Sequence, residues 1–396
     1  MTAVGRRFDA FDLWGSDMKQ LVLCLLAMSA SSPLLAQDNP RPSQQAQAPG
    51  FIEGSSLDLN LRHYYSNQHT QRDTYLTIKK PDGNQRTRVR ETWVQTGMLK
   101  YSSGYTQGLI GIGVDAGLFS AVNLERGHGR VANGGDRVLV DSDGDALPTW
   151  SRLGIGDVRL RLSNTELKAG RLMTDNPVLR YKDNRALPSS FQGVGLYSHE
   201  TDWLSLQAGS FDRAIPRTGT GSERLTTTFG NRAYSGERIS YLGATVKSGL
   251  GLEGSLYASR FENMWDQYYL GLTHRAGDKS RLALKTTFNY YHTRDQGQQR
   301  LGYIDNDAFS LALTGSHQAH SLTLAWQQVF GDEYFDYVWE STGNYMANSL
   351  YSDYNGPNEK SWQLRYDLDL AAYGVPGLSA SLWHAKGWGI DGTQYD

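Results

Sequence analysis

Apolar and polar residues alternate with period two along most of the chain. In residues 57–65, Leu57, Leu59 and Leu61 take turns with Asp58, Asn60 and Arg62. Successive strand side chains point to opposite faces, so this spacing predicts a strand with one greasy and one wet side. Residues 105–119 repeat it, with Ile110, Ile112, Val114, Ala116 and Leu118 against Gly111, Gly113, Asp115 and Gly117. The same phase separates Arg159 and Arg161 from Leu160 and Leu162, and Lys285 and Asn289 from Leu282, Leu284 and Phe288. Near the end, Gln363, Arg365, Asp367 and Asp369 oppose Leu364, Tyr366, Leu368 and Leu370. Read this way, the chain holds about 15 strands up to His384.

A soluble β-sandwich also alternates, so the connections must separate the two cases. Tight turns fall near Ser103-Gly104, Asn164, Glu200, Gly249-Gly251, Gly277, His317 and Gly374-Gly377. Between them come long polar stretches near 67–89, 121–153, 173–192, 212–236, 294–306 and 331–359. Short turns at one end and long loops at the other predict an all-β fold, a transmembrane antiparallel β-barrel of the bacterial outer membrane. Such barrels have even strand numbers, and an open edge in lipid leaves backbone groups unsatisfied. The odd number is therefore read as a chain that lacks its C-terminal strands.

Composition supports this choice. Mean hydropathy is −0.52, which is hydrophilic. Yet the 396 residues include 23 Tyr, 10 Trp, 12 Phe and 43 Gly. Aromatic and glycine enrichment with weak average hydrophobicity fits strands that show lipid only every second residue. Net charge is −2 with acids and bases interspersed, which gives no footprint for nucleic acid.

The N-terminus reads as an export signal. Lys19 precedes an apolar stretch whose heart is residues 21–30, and small residues lead to a cleavage point after Ala36. The stretch is too short for a spanning helix. Met18 opens this pattern, so residues 1–17 are expected to be an upstream extension, 18–36 the signal peptide, and 37–50 a flexible periplasmic leader ahead of a porin domain at 51–396. The one cysteine, Cys24, lies inside the signal, which leaves the mature chain without disulfides or cysteine-bound metal. No cofactor is expected. Asp141, Asp143 and Asp145 around Gly144 mimic the start of a calcium loop, but the glycine spacing and the missing glutamate fail the pattern.

Several stretches are specific. Residues 51–59, followed by Arg62 and Tyr64-Tyr65, resemble the opening strand of the OprD family of substrate-specific outer-membrane porins. So do Gly170-Arg171 through Asn176-Pro177-Val178 to Arg185-Ala186-Leu187-Pro188, and above all residues 348–362 with Tyr373-Gly374-Val375-Pro376-Gly377. The resemblance covers residues 50–396. It implies an 18-stranded barrel narrowed to an eyelet by two inward loops, with a ladder of bases guiding a substrate carboxylate and an acid on the seventh loop. That acid falls on Asp353. The third loop falls on residues 173–193 with Arg185, and Tyr351 joins the eyelet set.

The residues themselves point the same way. Arg62, Arg159, Arg161, Lys285 and Arg365 lie on the polar phase of their strands, which must face the lumen because charge on the lipid face costs ~2–4 kcal/mol at mid-bilayer. A row of like charge on a narrow path attracts ions of opposite sign. Each base has a second reading, as the partner of Asp58, Asp115, Asp367 or Asp369 across the wall. Asp353 can equally shape a turn before Asn355-Gly356-Pro357. Tyr337, Tyr351 and Tyr354 suit either the path or an interfacial girdle.

The expected activity is passive, selective diffusion of small carboxylate-bearing nutrients, amino acids or organic acids, with no chemical step. The rivals are a sugar-specific or general porin and, from another class, an outer-membrane lipolytic enzyme. Expected partners are outer-membrane lipid and lipopolysaccharide, the barrel-assembly machinery and the solute, with the chain a monomer or loose trimer.

Overall fold

The computed structural model describes residues 42–71, 75–78, 80–124, 139–141, 143, 145–229, 234–342, 344–349 and 352–391. The expected upstream extension, the signal peptide and Tyr351 lie outside the described residues.

The strands are Ser56–His69 (β1), Leu76–Ile78 (β2), Gln85–Thr87 (β3), Val89–Ser102 (β4), Ile110–Asn123 (β5) and Thr149–Leu162 (β6). Then follow Thr165–Leu172 (β7), Ser190–Ser198 (β8), Leu204–Ile215 (β9), Glu223–Arg224 (β10), Ile239–Lys247 (β11) and Leu252–Phe261 (β12). The last are Trp265–Asp278 (β13), Leu282–Asp295 (β14), Asp305–His317 (β15), His320–Phe330 (β16), Lys360–Asp369 (β17) and Ser379–Trp388 (β18). Three of them, β2, β3 and β10, are two- or three-residue ladders within loops. The others pair antiparallel in chain order from β1 to β18, so among the described residues fifteen strands build the wall.

The wall is inside out relative to a soluble protein. Leu57, Leu59, Leu61, Leu284, Leu311, Leu313 and Leu324 are exposed on its outer face. Gln267, Thr293, Ser310, Gln327 and Asn348 are fully buried within. Water would penalise that arrangement, and lipid rewards it. Tyr65 and Trp93 stand exposed near one rim and Trp203, Tyr366 and Tyr373 near the other, as interfacial aromatics do.

Two differences from the periodic reading have local causes. The strand expected from Tyr105 begins at Ile110, because Ser103 and Thr106 use their hydroxyls to accept from the amides of Val114 and Ile112 and so fix a turn at 103–109. A hairpin between β12 and β13 closes through only residues 262–264, on the end where every other connection is long. Its Asn263 takes the left-handed φ of 64° that such a tight reversal requires.

The sheet curls round its own loops. Loop 3 (residues 173–189) touches β1 through Arg62 and β14 through Tyr291, strands that stand far apart in the path. A flat sheet cannot bring both to one loop, so the wall encloses it. The core is therefore in the lumen. Val178 and Leu179 of loop 3 pack with Phe335, Val338 and Met346 of loop 7 (residues 331–359) against Phe211, Tyr241, Trp265 and Tyr291 of the wall. At its other end, Ala186 and Leu187 pack with Val94, Met98 and Phe119.

Candidate pore constriction

Loop 3 is given its shape by Asn176, whose Oδ1 accepts from the amides of Val178 (3.1 Å) and Leu179 (2.8 Å). It then crosses the lumen and is tied down on several sides. Arg62 of β1 holds Asp183 with a two-pronged ion pair, 2.7 and 3.1 Å, and donates to the Arg185 carbonyl at 2.6 Å. Thr96 of β4 donates to the Ala186 carbonyl at 3.1 Å. Buried Arg152 of β6 donates to the carbonyls of Pro188 in loop 3 and of Pro216 and Gly219 in loop 4 (residues 216–238).

Loop 7 lies against loop 3. Tyr181 and Ser341 form a β-bridge, the Thr342 amide donates to the Arg180 carbonyl at 2.8 Å, and Ser189 Oγ donates to the Glu340 carbonyl at 2.7 Å. Glu340 accepts at 2.8 Å from Arg217 Nε, and both side chains are almost fully enclosed. Arg217 also donates to Asn184 Oδ1, so one buried guanidinium joins loops 3, 4 and 7. A buried pair of this kind fixes position: with one partner gone the other is a bare charge out of water. Asp336 anchors the start of loop 7, accepting from the amides of Thr228 and Phe229 and from Trp265 Nε1 at 3.0 Å. Burial raises its carboxyl above the ordinary range, and those donors hold it back.

Asp353 sits half-buried in loop 7. Its carboxylate accepts from the Tyr337 hydroxyl and from Ser349 Oγ (2.6 Å), while its carbonyl accepts from Gln327 at 2.8 Å. Tyr337 is thus buried among the inward loops and not part of a girdle. Lys182 of loop 3 lies 5.8 Å from the Tyr337 ring. Burial, then the neighbouring Arg217, lowers the pKa of its ammonium, against the pull of Asp353 and Glu340.

The five bases read from the strands fall into two groups. Arg62, Arg159 and Arg365 are paired: with Asp183, with Asp115 at 3.3 Å, and with Asp367 at 2.7 Å. Arg161 stacks 3.7 Å from the Tyr105 ring and donates to Gln45, and Lys285 is exposed on the lumen phase beside Asn289. Gln45 belongs to the stretch read as a flexible leader, yet the described part of that stretch is docked. Gln45 is buried, with its amide on the Ser163 carbonyl and its side chain on the carbonyls of Thr106 and Gly108.

Below the loops the lumen opens into cavities. One of about 460 Å³ is lined by Asp115, Asp157, Arg161, Glu166, Lys168 and Asp175 among others. Another of about 530 Å³ is lined by Asp175, Arg180, Glu253, Asn289, Tyr345 and Ser349 among others. Arg152, Lys182, Arg217, Glu340 and Asp175 went unnoticed in the sequence. All but Arg152 sit in loops, where no period marks them.

Known proteins agree with this geometry. Residues 49–396 match the model of the family described as outer membrane porin, OprD family. Porin D of Pseudomonas aeruginosa is 38% identical over 380 residues, covering 93% of this chain and 82% of that protein. The crystal structure of P. aeruginosa OccD3 (OpdP) is 48% identical, with a TM-score of 0.76 over 91% of this chain and 82% of that one. P. aeruginosa OpdK, solved with vanillate, is 30% identical with a TM-score of 0.76 over 86% and 84%. The chain therefore belongs to the OprD family, outer-membrane β-barrel porins of Gram-negative bacteria that pass small solutes.

Proposed function

We propose that this porin passes small carboxylate-bearing nutrients by passive, charge-selective diffusion, with amino acids favoured over plain organic acids. The observation that carries the reading is the mixed charge around the first cavity, where Arg161 and Lys168 stand with Asp115, Asp157, Glu166 and Asp175. A solute with only a carboxylate finds two bases there but also several acids. One that adds an ammonium group finds a partner for each end. The vanillate seen with OpdK is itself a carboxylate, which supports the class.

In this reading loops 3 and 7 form the eyelet, with Asp353 and Arg185 at its edge and Tyr351 in the same set. Lys285 and Arg161 receive the carboxylate. Arg62, Arg159 and Arg365 chiefly hold the wall and loop 3 in place, since each already faces a carboxylate of the protein. Insertion by the barrel-assembly machinery, contact with lipopolysaccharide, and a monomer or loose trimer complete the picture.

The test is planar-bilayer recording of the purified protein with added solutes. The proposal expects current to fall with millimolar amino acids, less with acetate and not with maltooligosaccharides. Block by oligosaccharides alone would contradict it.

A further inference from the structure

We propose that Asp175 of loop 3 is a charge filter of the permeation path, separate from the acid expected at Asp353. The inference rests on the channel activity of the family and not on the carboxylate reading.

Asp175 lines both lumen cavities, so a solute in either one meets its carboxylate. Asp353 lines neither, and its carboxylate is occupied by the hydroxyls of Tyr337 and Ser349. More than half of the Asp175 side-chain surface stays open. An acid that is held yet open to water acts on passing ions, whereas one buried among donors acts mainly on its neighbours.

The group is also fixed in place, as a filter must be. Asp175 Oδ1 accepts from Arg180 Nε at 3.0 Å and from the Tyr345 hydroxyl at 3.0 Å, and the Arg180 guanidinium lies 5.6 Å over the Tyr345 ring. Under this trio, the buried Tyr291 hydroxyl joins the two loops: it donates to the Pro177 carbonyl at 3.0 Å and accepts from the Tyr345 amide at 2.9 Å. Loop 3 supplies the charge, loop 7 the clamp, and the wall a rigid seat.

The trio is electrically lopsided. Arg180 lines the second cavity but not the first. On the first side Asp175, Asp115, Asp157 and Glu166 outnumber Arg161 and Lys168, four acids to two bases, whereas on the second Arg180 offsets Asp175 beside Glu253. The filter therefore favours cations, and Arg180 sets how strongly.

Reversal potentials across a KCl gradient test this, with the purified porin in planar bilayers and folding checked by heat-dependent gel mobility. Removing one unit charge a few ångströms from the path predicts that Asp175→Asn lowers the K⁺ to Cl⁻ permeability ratio by roughly threefold. Asp175→Glu should keep the wild-type ratio, and Arg180→Gln should raise it. Open channels with an unchanged ratio in Asp175→Asn would overturn the proposal. So would a fall in both Asp175→Asn and Arg180→Gln, since a shared direction means loosened loops and not a charge effect. If Asp175→Asn fails to fold, Arg180→Gln decides by its sign.

Discussion

The wall and the loops it encloses are built on opposite rules. The wall puts Leu284, Leu311 and Leu324 outward and glutamines, threonines and serines inward, so each residue's place follows from its parity along a strand. Loops 3 and 7 follow no period. They are held by a few buried polar groups, Arg152, Arg217, Glu340, Asp336 and Tyr291, each reaching an element distant in sequence. The wall thus has a redundant design that tolerates single changes that keep its parity, whereas the inward loops depend on a handful of side chains.

That contrast is breakable by substitution. The largest effect is expected in the loops: Glu340→Ala strands Arg217 without its partner and should cost about 3–5 kcal/mol of loop stability. Protease cleavage within loop 7 should rise steeply while the barrel still shows its folded gel mobility. On the wall, Leu311→Arg places a charge on the lipid face and should cost about 2–4 kcal/mol. It should lower the yield of folding into lipid vesicles but leave the conductance of inserted channels as it was. Next comes Arg62→Ala, which removes a partly exposed two-pronged pair and should cost about 1–2 kcal/mol. Its sign is a noisier open channel, because loop 3 loses its hold on β1. The smallest is Tyr291→Phe, which loses two hydrogen bonds between loops at about 1 kcal/mol, read as faster hydrogen exchange at the Tyr345 amide.

The same contrast explains what could be read from the sequence. Parity placed Arg62, Arg159, Arg161, Lys285 and Arg365 on the inner face, and loop lengths gave the two ends of the barrel. Parity did not say which bases were already satisfied, because Asp183, the partner of Arg62, lies 121 residues away in loop 3. Nor did it show the short β12–β13 hairpin, since three residues of turn leave little signal. Family resemblance singled out Asp353 on loop 7, but only the folded loops show its carboxylate taken up by Tyr337 and Ser349 while Asp175 faces open space. Residues 43–50 looked featureless for a related reason. Their order comes from Gln45 meeting the turns at 103–109 and 163–164, contacts that no local pattern encodes.

If the inward loops and not the wall set the channel, shortening loop 7 decides the matter. Residues 341–349 replaced by a short Gly-Ser link, with the wall untouched, should raise single-channel conductance by roughly two- to threefold and abolish block by amino acids. A correctly folded variant with wild-type conductance and block would show that the constriction lies elsewhere.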